Sequence, residues 1–109
     1  MKMKLPVFIL MLFSSTAMAG LTEYDTAWGK KCNSEDSFSV KLKNSSSFSV
    51  DLKLCLEKTN GKWSCFASSN ISPGEVEPKY WDYYVCHGTG KYKAWSRHAG
   101  DYSLQFPKP

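Results

Sequence analysis

The sequence predicts an all-β domain, a small disulfide-stapled β-sandwich or small barrel of six to seven antiparallel strands. Three observations carry this reading. Apolar residues alternate with polar ones at a period of two along several stretches, while a helical period is almost absent. Turn-forming clusters rich in Gly, Asn, Ser and Pro separate those stretches at short intervals. Four cysteines fall in a short chain whose N-terminus has the layout of an export signal.

Taken in chain order, residues 1–19 place Lys2 and Lys4 before an apolar run from Leu5 to Phe13 and end in Ala17-Met18-Ala19. That is the charged start, apolar centre and small-residue tail of a secretory signal peptide, with cleavage expected before Gly20. The run holds nine residues, whereas a membrane-spanning helix needs roughly 20. Cleavage leaves residues 20–109 as a single secreted β domain, with no membrane insertion and a secreted or periplasmic location. Two of the fourteen basic residues leave with the signal, so twelve basic residues face ten acidic ones, a net charge of +2. That excess is too small for a nucleic-acid surface, which needs a strongly basic face.

Strands follow from alternation. In Ser37 to Lys43, Phe38, Val40 and Leu42 oppose Ser39, Lys41 and Lys43. From Phe48 to Leu56, Phe48, Val50, Leu52, Leu54 and Leu56 share one side. Residues 80–86 and 91–97 alternate in the same way, and Tyr102, Leu104 and Phe106 suggest a last strand. Turns are expected at Asn44-Ser45-Ser46-Ser47, Asn60-Gly61, Ser72-Pro73-Gly74, His87-Gly88-Thr89-Gly90 and Ala99-Gly100-Asp101. The five residues Ile71-Ser72-Pro73-Gly74-Glu75 resemble the turn that often separates strands of immunoglobulin-like sandwiches, and on that resemblance the fold is expected to be immunoglobulin-like.

The cysteines Cys32, Cys55, Cys65 and Cys86 contain no Cys-x-x-Cys pair, so two disulfides are expected in place of a zinc site. The stretch CLEKTNGKWSC makes a hairpin whose loop length decides the pairing. A two-residue Asn60-Gly61 loop puts Cys55 opposite Phe66, and the two cysteines then point to opposite faces. A three-residue Thr59-Asn60-Gly61 loop puts Cys55 opposite Cys65, with Gly61 where a left-handed residue is needed. The second arrangement is preferred, which leaves Cys32 to pair with Cys86.

No cofactor and no catalytic or metal-binding residue is assigned. His87 and His98 are the only histidines, and neither a Gly-x-Ser-x-Gly turn nor a His-Glu-x-x-His motif is present after residue 19. The string HGTG imitates an oxyanion loop but reads as a turn. A metal would need both histidines and a further ligand such as Asp82 or Asp101. Eight acidic residues follow residue 30, and none is marked by its neighbours as part of a glycosidase pair.

What remains is recognition. The segment YWDYYVCHGTGKYKAWSRH holds six of the sixteen aromatic residues. If Cys86 marks the buried side, Trp81, Tyr83 and His87 face outward; if Val85 does, Tyr80 and Tyr84 face outward. The candidate partner-binding residues are Trp81, Tyr83, Tyr84, His87, Tyr92, Trp95 and Arg97, with Lys91, Lys93 and Arg97 as a polar rim. The expected function is non-catalytic: a protein-binding inhibitor or neutralising module that occludes another periplasmic or extracellular protein. A glycan or cell-wall binding module is the alternative, since sugars also stack on Trp and Tyr, and a small secreted hydrolase is a second one.

Overall fold

The structure, a computed structural model, describes residues 20–109. The signal-peptide reading of residues 1–19 lies outside the described residues. Among those described, seven strands form two antiparallel sheets: β1 (Leu21–Trp28), β2 (Phe38–Asn44), β3 (Val50–Lys58), β4 (Trp63–Ile71), β5 (Val76–Glu77), β6 (Tyr83–Val85) and β7 (Gly88–His98). The first sheet runs β1-β2, with β5 and β6 sharing the other edge of β2; the second runs β4-β3-β7. Two sheets face to face make a sandwich, not a closed barrel.

The alternating strands supply the core. Phe38, Val40 and Leu42 of β2 face Val50, Leu52, Leu54 and Leu56 of β3, and Tyr83, Val85, Tyr92 and Ala94 complete the layer. Each such aliphatic side chain stabilises the fold by roughly 2 kcal/mol on removal from water. Asn44 is the polar exception at the end of β2. Its Nδ2 donates to Phe48 O and Ile71 O, both at 2.9 Å, and its Oδ1 accepts from Ser46 N at 2.9 Å, so its burial leaves no unmet bond. The Ile71–Glu75 turn carries the chain from β4 in one sheet to β5 in the other, and Gly74 N donates to Asn44 O at 2.7 Å.

The β3–β4 hairpin adopts the three-residue loop. Cys55 opposes Cys65, Lys58 N donates to Lys62 O at 2.8 Å, and Gly61 N donates to Lys58 O at 2.9 Å. Gly61 has φ +84°, the left-handed conformation the loop needs. The disulfides are Cys55–Cys65 and Cys32–Cys86.

Four expectations from alternation and turn chemistry are corrected. Phe48 does not share the inner side of β3, because the strand begins only at Val50 and Phe48 is left exposed before it. Tyr102–Phe106 is not a strand; Ser103 N bonds Asp101 Oδ1 in a local turn, and the Arg97 guanidinium lies 4.9 Å from the Tyr102 ring and 4.8 Å from the Phe106 ring. The segment therefore crosses the outer face of the second sheet instead of extending it. The strand expected over 80–86 covers only Tyr83–Val85. The HGTG turn is confined to its first residue, because Gly88-Thr89-Gly90 already belong to β7.

Those glycines are demanded by close approach. A side chain at Gly88 would stand 2.9 Å from Phe38 Cβ, and one at Gly90 would stand 2.8 Å from the Trp28 ring, at φ +89°. Trp28 itself packs on Phe38 with ring centroids 4.7 Å apart. Gly90→Ala is expected to lower stability by about 1–3 kcal/mol through backbone strain and displacement of Trp28. Urea unfolding checks this against Gly61→Ala, where nothing lies within 4 Å of the added carbon and strain alone acts.

Candidate functional site

One end of the sandwich is built around the crossing from β6 to β7. Cys86 and His87 carry the chain between sheets, and Cys86 is bonded to Cys32 in the loop that precedes β2. Cys32, Asn33 and His87 have φ of 62°, 48° and 58°. Left-handed backbone at non-glycine residues persists where surrounding contacts impose it, and the contacts here are explicit. Asp36 O accepts from Gly88 N at 2.8 Å, His87 O accepts from Thr59 N at 2.8 Å, and Lys31 N donates to Ser37 Oγ at 3.0 Å. Asp36 Oδ2 meets His87 Nδ1 at 2.9 Å, while Asp36 Oδ1 accepts from the Ser34 hydroxyl. The Ser34 bond first, and then His87, hold the Asp36 carboxyl below the ordinary aspartate range. The corner is thus fixed by a disulfide, the Asp36–His87 hydrogen bond, two bonds between backbone groups and one from the Lys31 backbone to the Ser37 hydroxyl.

Beside it lies a cleft of about 630 Å³, lined by Lys58, Thr59 and Asn60 of the hairpin tip, Ser64 and Phe66 of β4, and Tyr84, Val85, Cys86 and His87. Phe66 and Val85 give it an apolar floor. Phe66 stacks on Tyr83 with centroids 5.0 Å apart, which ties the edge strand of one sheet to that of the other. Tyr84 projects outward beneath Lys31, whose Nζ is 5.6 Å from the ring and 2.7 Å from Asp82 Oδ2. The loop leading into β6 exposes Tyr80 at 89% and Trp81 at 64%.

The seven residues singled out from sequence do not form one patch. Val85 marks the core, so Tyr84 faces out and Tyr83 is buried. Trp81 would have shared the inner side with Val85 in a continuous strand, but β6 starts only at Tyr83 and leaves it exposed. Tyr84 and His87 line the cleft. Tyr92 is buried, its hydroxyl donating to Glu23; burial first, and then that carboxylate, push its phenol far above the usual value. Trp95 lies on the outer face of the second sheet under Lys53 Nζ, 5.7 Å from its ring. Arg97 is drawn into a nearly buried pair with Asp51 at 3.1 Å, so of the expected polar rim only Lys91 and Lys93 are exposed.

His87 and His98 cannot share a metal ion. They bracket β7, whose extended backbone separates them by roughly 30 Å, and His98 stacks on Phe48 with centroids 3.7 Å apart. Sequence reasoning missed Lys58, Ser64 and Phe66. The hairpin register pairs Phe66 with Leu54 and so turns it inward, but nothing local says that β4 and β6, in different sheets, border one gap. Compared with known proteins, the chain matches no protein-family model, no curated protein and no solved structure.

Proposed function

We propose that this is an exported, non-catalytic module that binds another protein by occlusion, using Tyr80 and Trp81 in the loop before β6 together with the cleft that Tyr84 and His87 line. The observation that carries the reading is the exposure of Tyr80 and Trp81 in the loop that leads into a rigid, concave corner. Two consecutive aromatics left in water contribute nothing to the core, and large exposed aromatic groups characterise binding surfaces. Two disulfides suit an oxidising compartment outside the cytoplasm. The Asp36–His87 pair joins two loops of the corner, which accounts for it without catalysis.

A glycan-binding reading draws on the same Trp81. The outer face of the second sheet offers it less, because the Trp63 and Trp95 rings are already approached by Lys93 and Lys53, at 5.2 and 5.7 Å.

The test is capture of a partner from the fluid of the compartment, followed by affinity measurement with Trp81→Ala and Tyr84→Ala. Anchors of this kind are expected to cost at least tenfold each, with melting temperature unchanged for the exposed Trp81. Capture unaffected by both substitutions, or release of the bound material by free sugar, would overturn the protein-binding reading.

A further inference from the structure

We infer that the cleft takes an extended segment of the partner that adds as a strand to the free edge of β4 and carries an aspartate or glutamate beside an apolar side chain. The inference rests on the protein-binding reading and names the chemistry of what docks.

The edge comes first. Among the described residues β4 pairs only with β3 and β6 only with β2, so the cleft is flanked by two strands that each have an unpaired side. Proteins blunt such edges with charges or proline because unpaired N–H and C=O groups recruit other strands. The sandwich's other edge strands follow that rule: β1 carries Glu23 and Asp25, the two-residue β5 carries Glu77, and β7 carries Lys91 and Lys93. β4, Trp-Ser-Cys-Phe-Ala-Ser-Ser-Asn-Ile, has neither a charge nor a proline over nine residues. Of the two edges that flank the cleft, β6 is blunted by its length of only three residues, and β4 is the long one the sequence leaves undefended. At Ser68 that edge is bridged by a hydrogen bond to Glu77 at 3.1 Å, which leaves Trp63–Phe66 as the stretch a guest strand can use.

Charge and floor define the guest's side chains. No aspartate or glutamate lines the cleft, and Lys58 and His87 do. The carboxylate bonded to a lining side chain is Asp36, already committed to His87 and Ser34, whereas Lys58 enters no ion pair among the described residues. An acidic side chain is therefore matched to Lys58. Phe66 and Val85 match an apolar neighbour, in a volume within the roughly 300–1,000 Å³ range of ligand clefts. Strand addition supplies backbone bonds while side chains supply selectivity.

The experiment titrates the isotope-labelled protein with two capped hexapeptides of alternating threonine and phenylalanine, one with an aspartate beside a phenylalanine and one with lysine at that place. Amide shifts are expected at Ser64–Phe66 and Tyr84–His87, with slowed exchange of β4 amides on binding. The aspartate peptide is expected to bind roughly fivefold more tightly, the gain available to a partly exposed ion pair. Lys58→Glu is expected to reverse that order. The inference is overturned by equal affinities, by shifts centred on Lys53 and Trp95, by no shift with either peptide, or by a β4-to-β4 dimer, which would make a second copy the occupant. If a captured partner is lost with Trp81→Ala but indifferent to Lys58→Glu, the protein-binding reading stands and this inference falls.

Discussion

Asp51→Ala is expected to destabilise the domain by about 3–5 kcal/mol, a large part of the total for a chain of this size. Asp51 lies on the outer side of β3, yet its side chain is only 5% exposed. Its Oδ1 accepts from Asn70 N at 2.9 Å, and its Oδ2 accepts from Gly100 N and Arg97 Nε, both at 3.1 Å. Alanine would strand two backbone N–H groups and a guanidinium together. Arg97 in turn donates to Leu104 O at 2.6 Å and lies between Tyr102 and Phe106, so the C-terminal segment is expected to detach with it. Asp51→Asn is expected to recover little, because its amide group must turn a donor toward Asn70 N or toward the Arg97 and Gly100 donors. Denaturant unfolding of the two variants, with Arg97→Lys as a partner that keeps the charge and loses the fork, checks the account. Near-equal stability of Asp51→Ala and wild type would sink it.

The same carboxylate sets an acid limb. Burial pushes the Asp51 carboxyl upward, but the N–H groups of Asn70 and Gly100 and the Arg97 side chain outweigh it and hold the folded value below the ordinary 3.8. Its contribution is therefore complete above pH 3.8 and is lost as pH falls through the lower folded value. Asp51→Asn is expected to flatten the stability profile in that acid window and to leave its slope near neutrality unchanged.

How far this was legible in the sequence depends on where the partners lie. β2, β3 and the Lys91–Ala94 part of β7 alternate because one side of each meets the core, and the hairpin register followed from requiring two cysteines to share a face. β1 was not foreseen. Its apolar residues Leu21, Tyr24, Ala27 and Trp28 follow no period of two, and a bulge between Glu23 and Asp25 shifts the register. Tyr92 and Arg97 read as surface groups since the acids that hold them, Glu23 and Asp51, are 69 and 46 residues away. In the site, Tyr84 and His87 stood out by composition. Phe66 and Lys58 did not, because the cleft exists only once two sheets are stacked and their edges meet.

A Cys32→Ser, Cys86→Ser double variant is expected to lose about 4 kcal/mol, against about 3 kcal/mol for Cys55→Ala with Cys65→Ala. The two bonds close loops of different length, with sequence separations of 54 and 10, and the longer loop removes more freedom from the unfolded chain. The ranking is informative because burial alone predicts the reverse: Cys55 is fully buried, whereas Cys32 is exposed. If the Cys55–Cys65 variant proves the less stable, packing of the sulfurs governs and chain entropy does not. The folded remainder also separates a global effect from a local one. Without Cys32–Cys86, the corner keeps the bonds from Gly88 N to Asp36 O and from Thr59 N to His87 O, together with the Asp36–His87 pair. Amide exchange at Gly88 and Thr59 is then expected to rise only by the global loss of stability. A larger rise confined to those amides would mean that the disulfide, more than the hydrogen bonds, holds the cleft in shape, and affinity for the proposed partner is then expected to fall with it even where the domain remains folded.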